Sequence, residues 1–368
     1  MRSYVSRDGL GLPKAGSVAR SAAGRNSRAG FREKNMRLTA MLAPATVIAT
    51  CMILAASGKA SGAGPSFNAP KDVAAIKALE NYIQTETDMD KLAPYYAPDA
   101  LVLDIYAPGI YKGREQIKAG FAPQLATIRS MKHDMAEMNV ATNGRFACAA
   151  MQIHFDTVLK SGQALKMSVR EIDAFKKIGG KWQIVQQHVS LPVDAKTGMA
   201  VVDGPIKAQG PITWSAHPLP TPSTTPEQAK REIRRFMDVG GVSTSLAQLM
   251  QYYGPGDDTL VYDTFYPGEL RGLKQISGYY AGMMGGIAHS TLTMPEFVAD
   301  SDGGFGIQAD TQDLKLTLKD GSTKRISIRQ SDCMRRVGGK WYSFFEMISF
   351  PIDMASGKGI MSNPALAR

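Results

Sequence analysis

The residues of this chain that could perform acid–base chemistry recur at a fixed separation of 159 positions. The recurring acids and arginines are Asp104 and Asp263, Asp173 and Asp332, and Arg170 and Arg329. A carboxylate enclosed by apolar residues is desolvated, so its pKa rises and it can take a proton from carbon near neutral pH. Two structural roles compete with this one. Asp104 precedes a turn, where it can cap backbone amides, and Asp173 can pair with an arginine, although Arg170 should lie on the opposite face of the same strand.

A histidine lies in the last strand of the first copy of this pattern. By strand alternation, the residues that share a face with His188 are Trp182, Ile184, Gln186 and Ser190. If this face lines the interior, His188 is a candidate base or proton shuttle. If it faces another sheet, His188 is an interface residue. The second copy has Met347 in place of His188 and Glu346 in place of Gln187, so the first copy is expected to be the active one.

The 159-residue separation belongs to a long internal repeat, which holds over about 90 residues without a net gap. Chance does not maintain one offset over such a length. We therefore predict two tandem domains, residues 70–203 and 226–360, joined by a Pro-rich linker at 204–225.

Each domain begins with helical patterns and ends with strand patterns. Apolar residues at helical spacing mark the first helices, at 73–87 and 228–238. The strands of the first copy are separated by hairpin signals at Asn143-Gly144, Ser161-Gly162 and Gly179-Gly180. Strands this long must bend. The prediction is an α+β fold in which helices cover the concave face of a strongly curved antiparallel sheet.

The positive charge of the chain is concentrated at its start. Residues 1–37 hold nine Lys and Arg and two acids, so they carry +7 of the formal net charge of +10. The remaining +3 is scattered among acids and forms no basic stripe. Nucleic acid is therefore not a predicted partner.

Residues 36–63 have the pattern of a signal peptide. Arg37 supplies the positive start, residues 38–56 are uncharged and mostly apolar, and small residues follow. Residues 1–35 are either a disordered basic leader or precede the true start of translation. We predict an exported protein, periplasmic or secreted, which contacts a membrane only if the apolar segment stays uncleaved as an anchor.

Two cysteines, Cys148 and Cys333, follow the signal segment, and they do not occupy equivalent positions of the repeat. An exported compartment permits a disulfide, but the sequence does not demand one. Both lie in strand-like apolar stretches, so small buried side chains are the expectation. The sequence has no zinc-type spacing of Cys and His, and no metal or cofactor is predicted.

Three motifs of the first domain resemble the NTF2-like superfamily, which includes SnoaL-like proteins and ketosteroid isomerase. They are DMDKLAPYYAPDALVLD at 88–104, PGIYKGREQI at 108–117 and GKWQIVQQHVS at 180–190. The resemblance extends over both repeats and implies two cone-shaped domains. In ketosteroid isomerase a first-helix Tyr, an Asp ending the first strand and a later-strand Asp converge in the cone. The positions here that resemble them are Tyr82, Asp104 and Asp173.

The resemblance implies a cofactor-free isomerase, dehydratase or lyase acting on a small apolar cyclic or aromatic molecule in the first cone. The expected catalytic residues are Asp104, Asp173, Tyr82 and His188. The expected substrate-binding residues are Tyr106, Tyr111, Phe121 and Arg170, although aromatic residues at such spacing are more often plain core. The expected second-domain equivalents are Asp263, Asp332, Arg329 and Glu346.

The family also includes proteins that bind or assemble without catalysis, so a ligand-binding or assembly module is the alternative. Members of the superfamily commonly pair their sheets back to back. A tandem chain could form this pair internally, as a pseudo-dimer, and could associate further into a homo-oligomer.

Overall fold

The structure is a computed structural model that describes residues 67–205, 209–214 and 224–362, all within one compact unit, residues 60–368. The predicted leader and signal peptide lie outside the described residues, as does most of the predicted linker. No helix in the described ranges is long and apolar enough to cross a bilayer.

The first domain consists of three α-helices and six strands. Its helices are α1 (Pro70–Ile83), α2 (Met89–Leu92) and α3 (Arg114–Leu125). Its strands are β1 (Tyr96–Leu103), β2 (Ile110–Lys112), β3 (Ile128–Thr142), β4 (Phe146–Leu159), β5 (Ala164–Ile178) and β6 (Lys181–Ser190). Pro70 occupies the first turn of α1, where its missing N–H is not needed. Asp88 caps α2 by accepting a hydrogen bond from the Asp90 backbone amide.

The second domain repeats this order. Its helices are α4 (Pro226–Gly240), α5 (Leu246–Leu249) and α6 (Gly272–Met284). Its strands are β7 (Leu260–Tyr262), β8 (Leu270–Arg271), β9 (Ile287–Ser301), β10 (Phe305–Leu318), β11 (Thr323–Val337) and β12 (Lys340–Ser349). Thr225 caps α4 through its side chain, which accepts a hydrogen bond from the Gln228 amide.

Each domain has one six-stranded sheet, in the order β2-β1-β6-β5-β4-β3 in the first and β8-β7-β12-β11-β10-β9 in the second. In each sheet one pair of neighbouring strands is parallel, β1 with β6 in the first and β7 with β12 in the second. The other pairs are antiparallel. The predicted α+β fold with two tandem domains is confirmed. We call the space between each sheet and its own helices the cone of that domain.

The two sheets pack on each other by the faces that point away from their helices. One hydrophobic cluster contains buried side chains of both domains, among them Phe146, Ile172, Phe305, Ile307 and Phe345. The contact therefore has the character of a protein core.

A disulfide crosses this contact between Cys148 of β4 and Cys333 of β11. The expectation that both cysteines are free buried thiols is wrong. The disulfide gives the two domains a second covalent connection besides the polypeptide chain, between cysteines that are 185 residues apart in sequence.

An irregularity in β6 changes which side chains enter the first cone. The register between β5 and β6 shifts at Val185, which is an extra residue in β6. Each such insertion moves the following side chains to the opposite face. Trp182 and Ile184 belong to the first domain's core, whereas Gln186 and His188 contact the second domain. The prediction that these residues share one face is therefore wrong.

His188 is an interface residue rather than a group in the first cone. Its Nδ1 lies 2.9 Å from Ser331 Oγ and its Nε2 lies 2.7 Å from Ser349 Oγ. Burial, with the charges of Arg329 and Arg170 nearby, lowers the pKa of His188 well below its usual value. The ring is therefore neutral and joins the two sheets by hydrogen bonds.

The two recurring arginines make reciprocal contacts between the domains. Arg170 donates hydrogen bonds to the backbone carbonyl oxygens of Asp263, at 2.6 Å, and Tyr266, at 2.9 Å. Arg329 donates to the carbonyl oxygen of Asp104. Such exchange of equivalent contacts is the property of a two-fold interface. Arg170, expected as a substrate-binding residue, is committed to this interface.

Replacing the guanidinium of Arg170 should loosen the interface. In Arg170→Met the carbonyls of Asp263 and Tyr266 lose their buried donor, and we expect the free energy of unfolding to fall by about 2 kcal/mol. Chemical denaturation with the exposed variant Arg145→Met as the control measures this effect. An equal effect in both variants would show that the cross-domain bonds contribute nothing.

Candidate functional site

The second cone contains a cavity of about 480 Å³, within the range of small-molecule sites. Most of its wall is apolar. This lining includes Phe236, Leu249, Phe265, Leu314, Leu316, Ile326, Ile328 and Ile348. One group of polar lining residues consists of Tyr253, Tyr280, Gln330, Asp332, Ser343 and Glu346, and the other polar lining residues are Ser243, Tyr252, Ser290, Gln312 and Lys324. The shape suits an apolar molecule that carries one or two polar atoms.

The repeat explains why the space is in the second domain. Helix α1 places Glu80 and Gln84 over its sheet, and both side chains are buried. The helical parts of the two copies correspond at a separation of 157 positions, as the starts of α2 (Met89) and α5 (Leu246) show. Met237 and Gly241 therefore match Glu80 and Gln84, and they line the cavity instead. A Cβ at Gly241 would lie 2.6 Å from the Leu292 side chain. The glycine therefore lets the helix end approach the sheet without filling the cone.

The floor of the first cone, by contrast, is packed. Its hydrophobic core includes Met135, Met138, Met151, Phe155 and Met167. The prediction that the first cone is the working one is not supported by this geometry, and the candidate site moves to the second.

Asp332 is the best hydrogen-bonded acid of the cavity. Its Oδ1 accepts from Ser343 Oγ at 2.6 Å, and its Oδ2 accepts from Gln308 Nε2 at 2.6 Å and Gln330 Nε2 at 2.9 Å. Burial raises the pKa of Asp332, and these three donors act against that rise. A carboxylate has about four acceptor sites, so one remains for a substrate.

Glu346 forms a pair with Asp332 through the amide of Gln330, which also donates to Glu346 Oε1 at 3.1 Å. Burial and the charge of Asp332 raise the pKa of Glu346 well above its usual value, although the Tyr253 hydroxyl is hydrogen-bonded to it. Of the two acids, Glu346 has the pKa that is raised more, because Asp332 accepts more hydrogen bonds that favour its charged form.

A second acid lies behind two tyrosines. Asp263 accepts hydrogen bonds from Tyr279 at 2.5 Å and from Tyr280 at 3.3 Å. Tyr280 is also hydrogen-bonded to Tyr253, which contacts Glu346. A continuous chain of hydrogen bonds thus links Asp263 to the acid pair of the cavity.

Asp310 should make the stability of this domain depend on pH. It is buried, its Oδ2 accepts from Gln312 at 3.3 Å, and its Oδ1 has no partner. Burial and the charge of Asp332 raise the pKa of Asp310 well above its usual value, against the opposing effect of Arg234. A raised pKa means that the folded state binds more protons than the unfolded state. The stabilisation is complete below the unfolded pKa of about 3.9 and is lost as the pH rises through the folded pKa.

In Asp310→Asn this pH dependence should disappear. We expect the Tm of the variant, relative to the wild type, to increase from pH 5 to pH 8, and thermal denaturation across this range measures it. A Tm difference that is constant with pH, or that decreases, would contradict the assignment.

The constellation expected from the resemblance is not assembled in the first domain. Tyr82 donates to Glu86 at 3.3 Å and lines a groove outside the cone, with Tyr95. On the same helix it is Glu80 that reaches Asp173. Asp104 accepts the Ile105 amide at 2.8 Å, which is the capping role, and burial raises its pKa.

The apolar residues expected to line the first cone pack among themselves. Tyr111 and Phe121 contact edge to face with ring centres 5.3 Å apart, and Tyr106 is packed against the same core. The equivalent of Tyr106 in the second domain, Phe265, lines the cavity. Of the expected second-domain equivalents, Asp332 and Glu346 line the cavity, Asp263 lies behind it, and Arg329 is in the interface.

Sequence reasoning missed two tyrosines of the site. Tyr253 directly follows a short helical segment, and Tyr96 does the same in the first domain. A tyrosine thus recurs at the matching position of both copies, and this recurrence could have been noted. Tyr280 replaces Phe121, a gain of a hydroxyl at a core position. The adjacent Gly240 and Gly241 were the available signal for an open cone.

Residues 74–194 match the SnoaL-like domain family. Among solved structures, an NTF2-like protein of unknown function from Pseudomonas putida is 21% identical, with 37% of this chain and 98% of that chain covered and a TM-score of 0.34. An NTF2-like superfamily protein from Salmonella enterica is 18% identical, with 36% and 95% covered and a TM-score of 0.30. A hexachlorocyclohexane dehydrochlorinase, LinA type 2, is 16% identical, with 33% and 84% covered and a TM-score of 0.29. No curated protein matches the chain.

Proposed function

We propose that the chain, whose residues 74–194 match the SnoaL-like domain family, is an acid–base enzyme whose site is the second cone. The substrate is a small apolar, cyclic or aromatic molecule with a carbonyl or hydroxyl group. The observation that carries this proposal is the apolar cavity with the Asp332–Glu346 pair in its wall.

The pair supplies the two groups that proton transfer needs. Asp332, held ionised by its three donors, takes a proton from the carbon next to the substrate carbonyl. Glu346, held protonated, donates a hydrogen bond to the carbonyl oxygen as charge develops there. Return of the proton to another carbon gives isomerisation, and loss of a leaving group gives elimination. The apolar wall excludes water and keeps both pKa values high.

Ligand binding tests this proposal directly. Crystals of residues 64–368 would be soaked with steroid, terpenoid and lignin-type aromatic carbonyl compounds, and affinities measured in solution. We expect a bound compound in the second cone with its oxygen near Glu346. In Ser290→Met, which introduces the first-domain residue of this position (Met131) into the cavity wall, affinity should fall at least about 10-fold. Binding elsewhere, or unchanged binding in Ser290→Met, would contradict the proposal.

The first domain supports the alternative, non-catalytic role for itself. Its cone is packed with methionines, and its sheet forms half of the inter-domain contact. We propose that it acts as the assembly partner of the second domain, within an intramolecular pseudo-dimer.

We also propose that the protein is exported. The signal-like pattern of residues 36–63 supports this, as does the Cys148–Cys333 disulfide, since disulfides persist in oxidising compartments. N-terminal sequencing of the protein recovered from a periplasmic or medium fraction tests it. Recovery only from the cytoplasm with an intact N-terminus would contradict export.

A further inference from the structure

Three carboxyl side chains meet inside the first cone. Glu80 comes from α1, and Glu171 and Asp173 come from β5. One oxygen of each lies within 4.8 Å of the other two. All three are buried, with 0%, 2% and 0% of their surface exposed.

The strand acids have hydrogen-bond donors, whereas the helix acid does not. Gln84 and Gln187 donate to the two oxygens of Glu171, at 3.1 and 2.6 Å, and Gln187 also donates to Asp173 Oδ2 at 3.2 Å. Both oxygens of Glu80 and Oδ1 of Asp173 have no donor at hydrogen-bond geometry, although Asp173 and Gln84 lie close enough to Glu80 to lower its pKa. These buried oxygens without a well-placed donor are an observation separate from the clustering itself.

The strongest charge effects on this group come from other acids. Among the described residues, the largest charge effects on Glu80, Glu171 and Asp173 are those of neighbouring carboxyl groups. Buried like charges are strongly unfavourable unless protons or a cation neutralise them.

The second domain shows that the fold does not require this group. Met237 lies at the position of Glu80, Gly241 at that of Gln84, and Gln330 at that of Glu171. The first domain therefore carries two carboxylates that the second domain lacks at the matching positions, Glu80 on its helix and Glu171 on its sheet.

We propose that the first cone binds one hard divalent cation, of the Ca²⁺, Mg²⁺ or Mn²⁺ class, through Glu80, Glu171 and Asp173. The donor set consists entirely of oxygens, which these ions prefer. Tyr96 donates to Gln187 Oε1 at 2.9 Å and fixes the amide that contacts two of the acids, as groups around metal ligands commonly do. The ion would join α1 to the sheet. Sequence spacing gave no sign of this site because Glu80 lies on α1, 91 and 93 residues before the two acids of β5, Glu171 and Asp173.

Metal content and metal-dependent stability test this proposal, independently of any activity in the second cone. Protein dialysed against a chelator would be titrated with Mn²⁺ and Ca²⁺ by calorimetry, and native mass spectrometry would count bound ions. We expect one ion per chain and a rise in Tm of at least about 4 °C at saturating metal.

Paired variants locate the ion. Asp173→Asn should abolish binding, whereas Asp332→Asn, the same change at the equivalent position of the second domain, should leave one ion per chain. Glu80→Met, which copies the second domain, should also abolish binding. If Glu80→Met does not fold, Asp173→Asn and the wild-type ion count still decide the matter.

Protons are the competing occupants, since burial raises the pKa of all three acids. No bound ion, with a Tm that millimolar Mn²⁺ and Ca²⁺ leave unchanged at pH 6 and pH 8, would overturn the proposal. Equal metal binding by the wild type and Asp173→Asn would overturn it as well.

Discussion

Replacing Asp332 by asparagine is expected to lower kcat/KM for a substrate of the second cone by about 10²- to 10⁴-fold, the contribution of a positioned base. The substitution keeps the shape of the side chain and its contact with Ser343, but removes the proton acceptor. In Glu346→Gln the proton donor is lost, and a reduction of similar size is expected. Steady-state kinetics on a compound identified by binding would measure both.

The pH profile of the same reaction distinguishes the two roles. Activity requires one proton on the pair, so the wild type should show a bell-shaped dependence of kcat/KM on pH. In Glu346→Gln the limb at high pH should disappear, because no second acid is left to ionise. The exposed variant Asp320→Asn serves as the control. Full activity in Asp332→Asn would contradict the mechanism even if ligands bind in the cavity.

Removing the disulfide should have the largest effect on stability. A cross-link that closes a loop of this size restricts the unfolded chain, and the chain-entropy account gives about 5 kcal/mol for its loss. We expect the Cys148→Ala/Cys333→Ala double variant to melt about 10 °C below the wild type.

The single variants give the characteristic signature of a covalent pair. Each single substitution breaks the same bond, so either one should lower Tm nearly as much as both together. Additive effects of the two single changes would indicate two independent core cysteines instead. Thiol titration of the unfolded, unreduced wild type should find neither Cys148 nor Cys333 reactive.

The repeat made the fold predictable, because the same order of helices and hairpin signals occurs twice and each copy constrains the other. What the sequence concealed was the direction of side chains after an irregularity. A single inserted residue at Val185 transfers His188 from the expected face to the interface. The rule that successive side chains of a strand alternate between its two faces cannot detect such an insertion, since a bulge has no fixed sequence signature.

The missed disulfide has a more general cause. The two cysteines occupy different positions of the repeat, which counted against their pairing. In a two-fold interface, however, position i of one copy contacts position j of the other, so cysteines at non-equivalent positions can still meet. The equivalents of Cys333 and Cys148 are Ala174 and Ile307, and both are in the same hydrophobic cluster.

The cavity lies in the second cone because large polar side chains that fill the first cone are missing there. Acids occur at the base of both cones, so motif reasoning favoured the copy with the fuller set. The first domain's additional groups, Glu80 and Gln84, occupy the space in which a ligand would lie. In the second domain Met237 and Gly241 leave that space open. Counting chemically capable residues therefore favoured the first cone, whereas the described cavity lies in the second.

The covalent link between the sheets also changes what proteolysis can do to this protein. A single backbone cut anywhere between residues 148 and 333 leaves two fragments that remain joined through Cys148 and Cys333. The fragments would migrate together on a non-reducing gel and separate only after reduction. We therefore expect a protein that a protease has cut once between its domains to keep its two halves together for as long as the disulfide is intact.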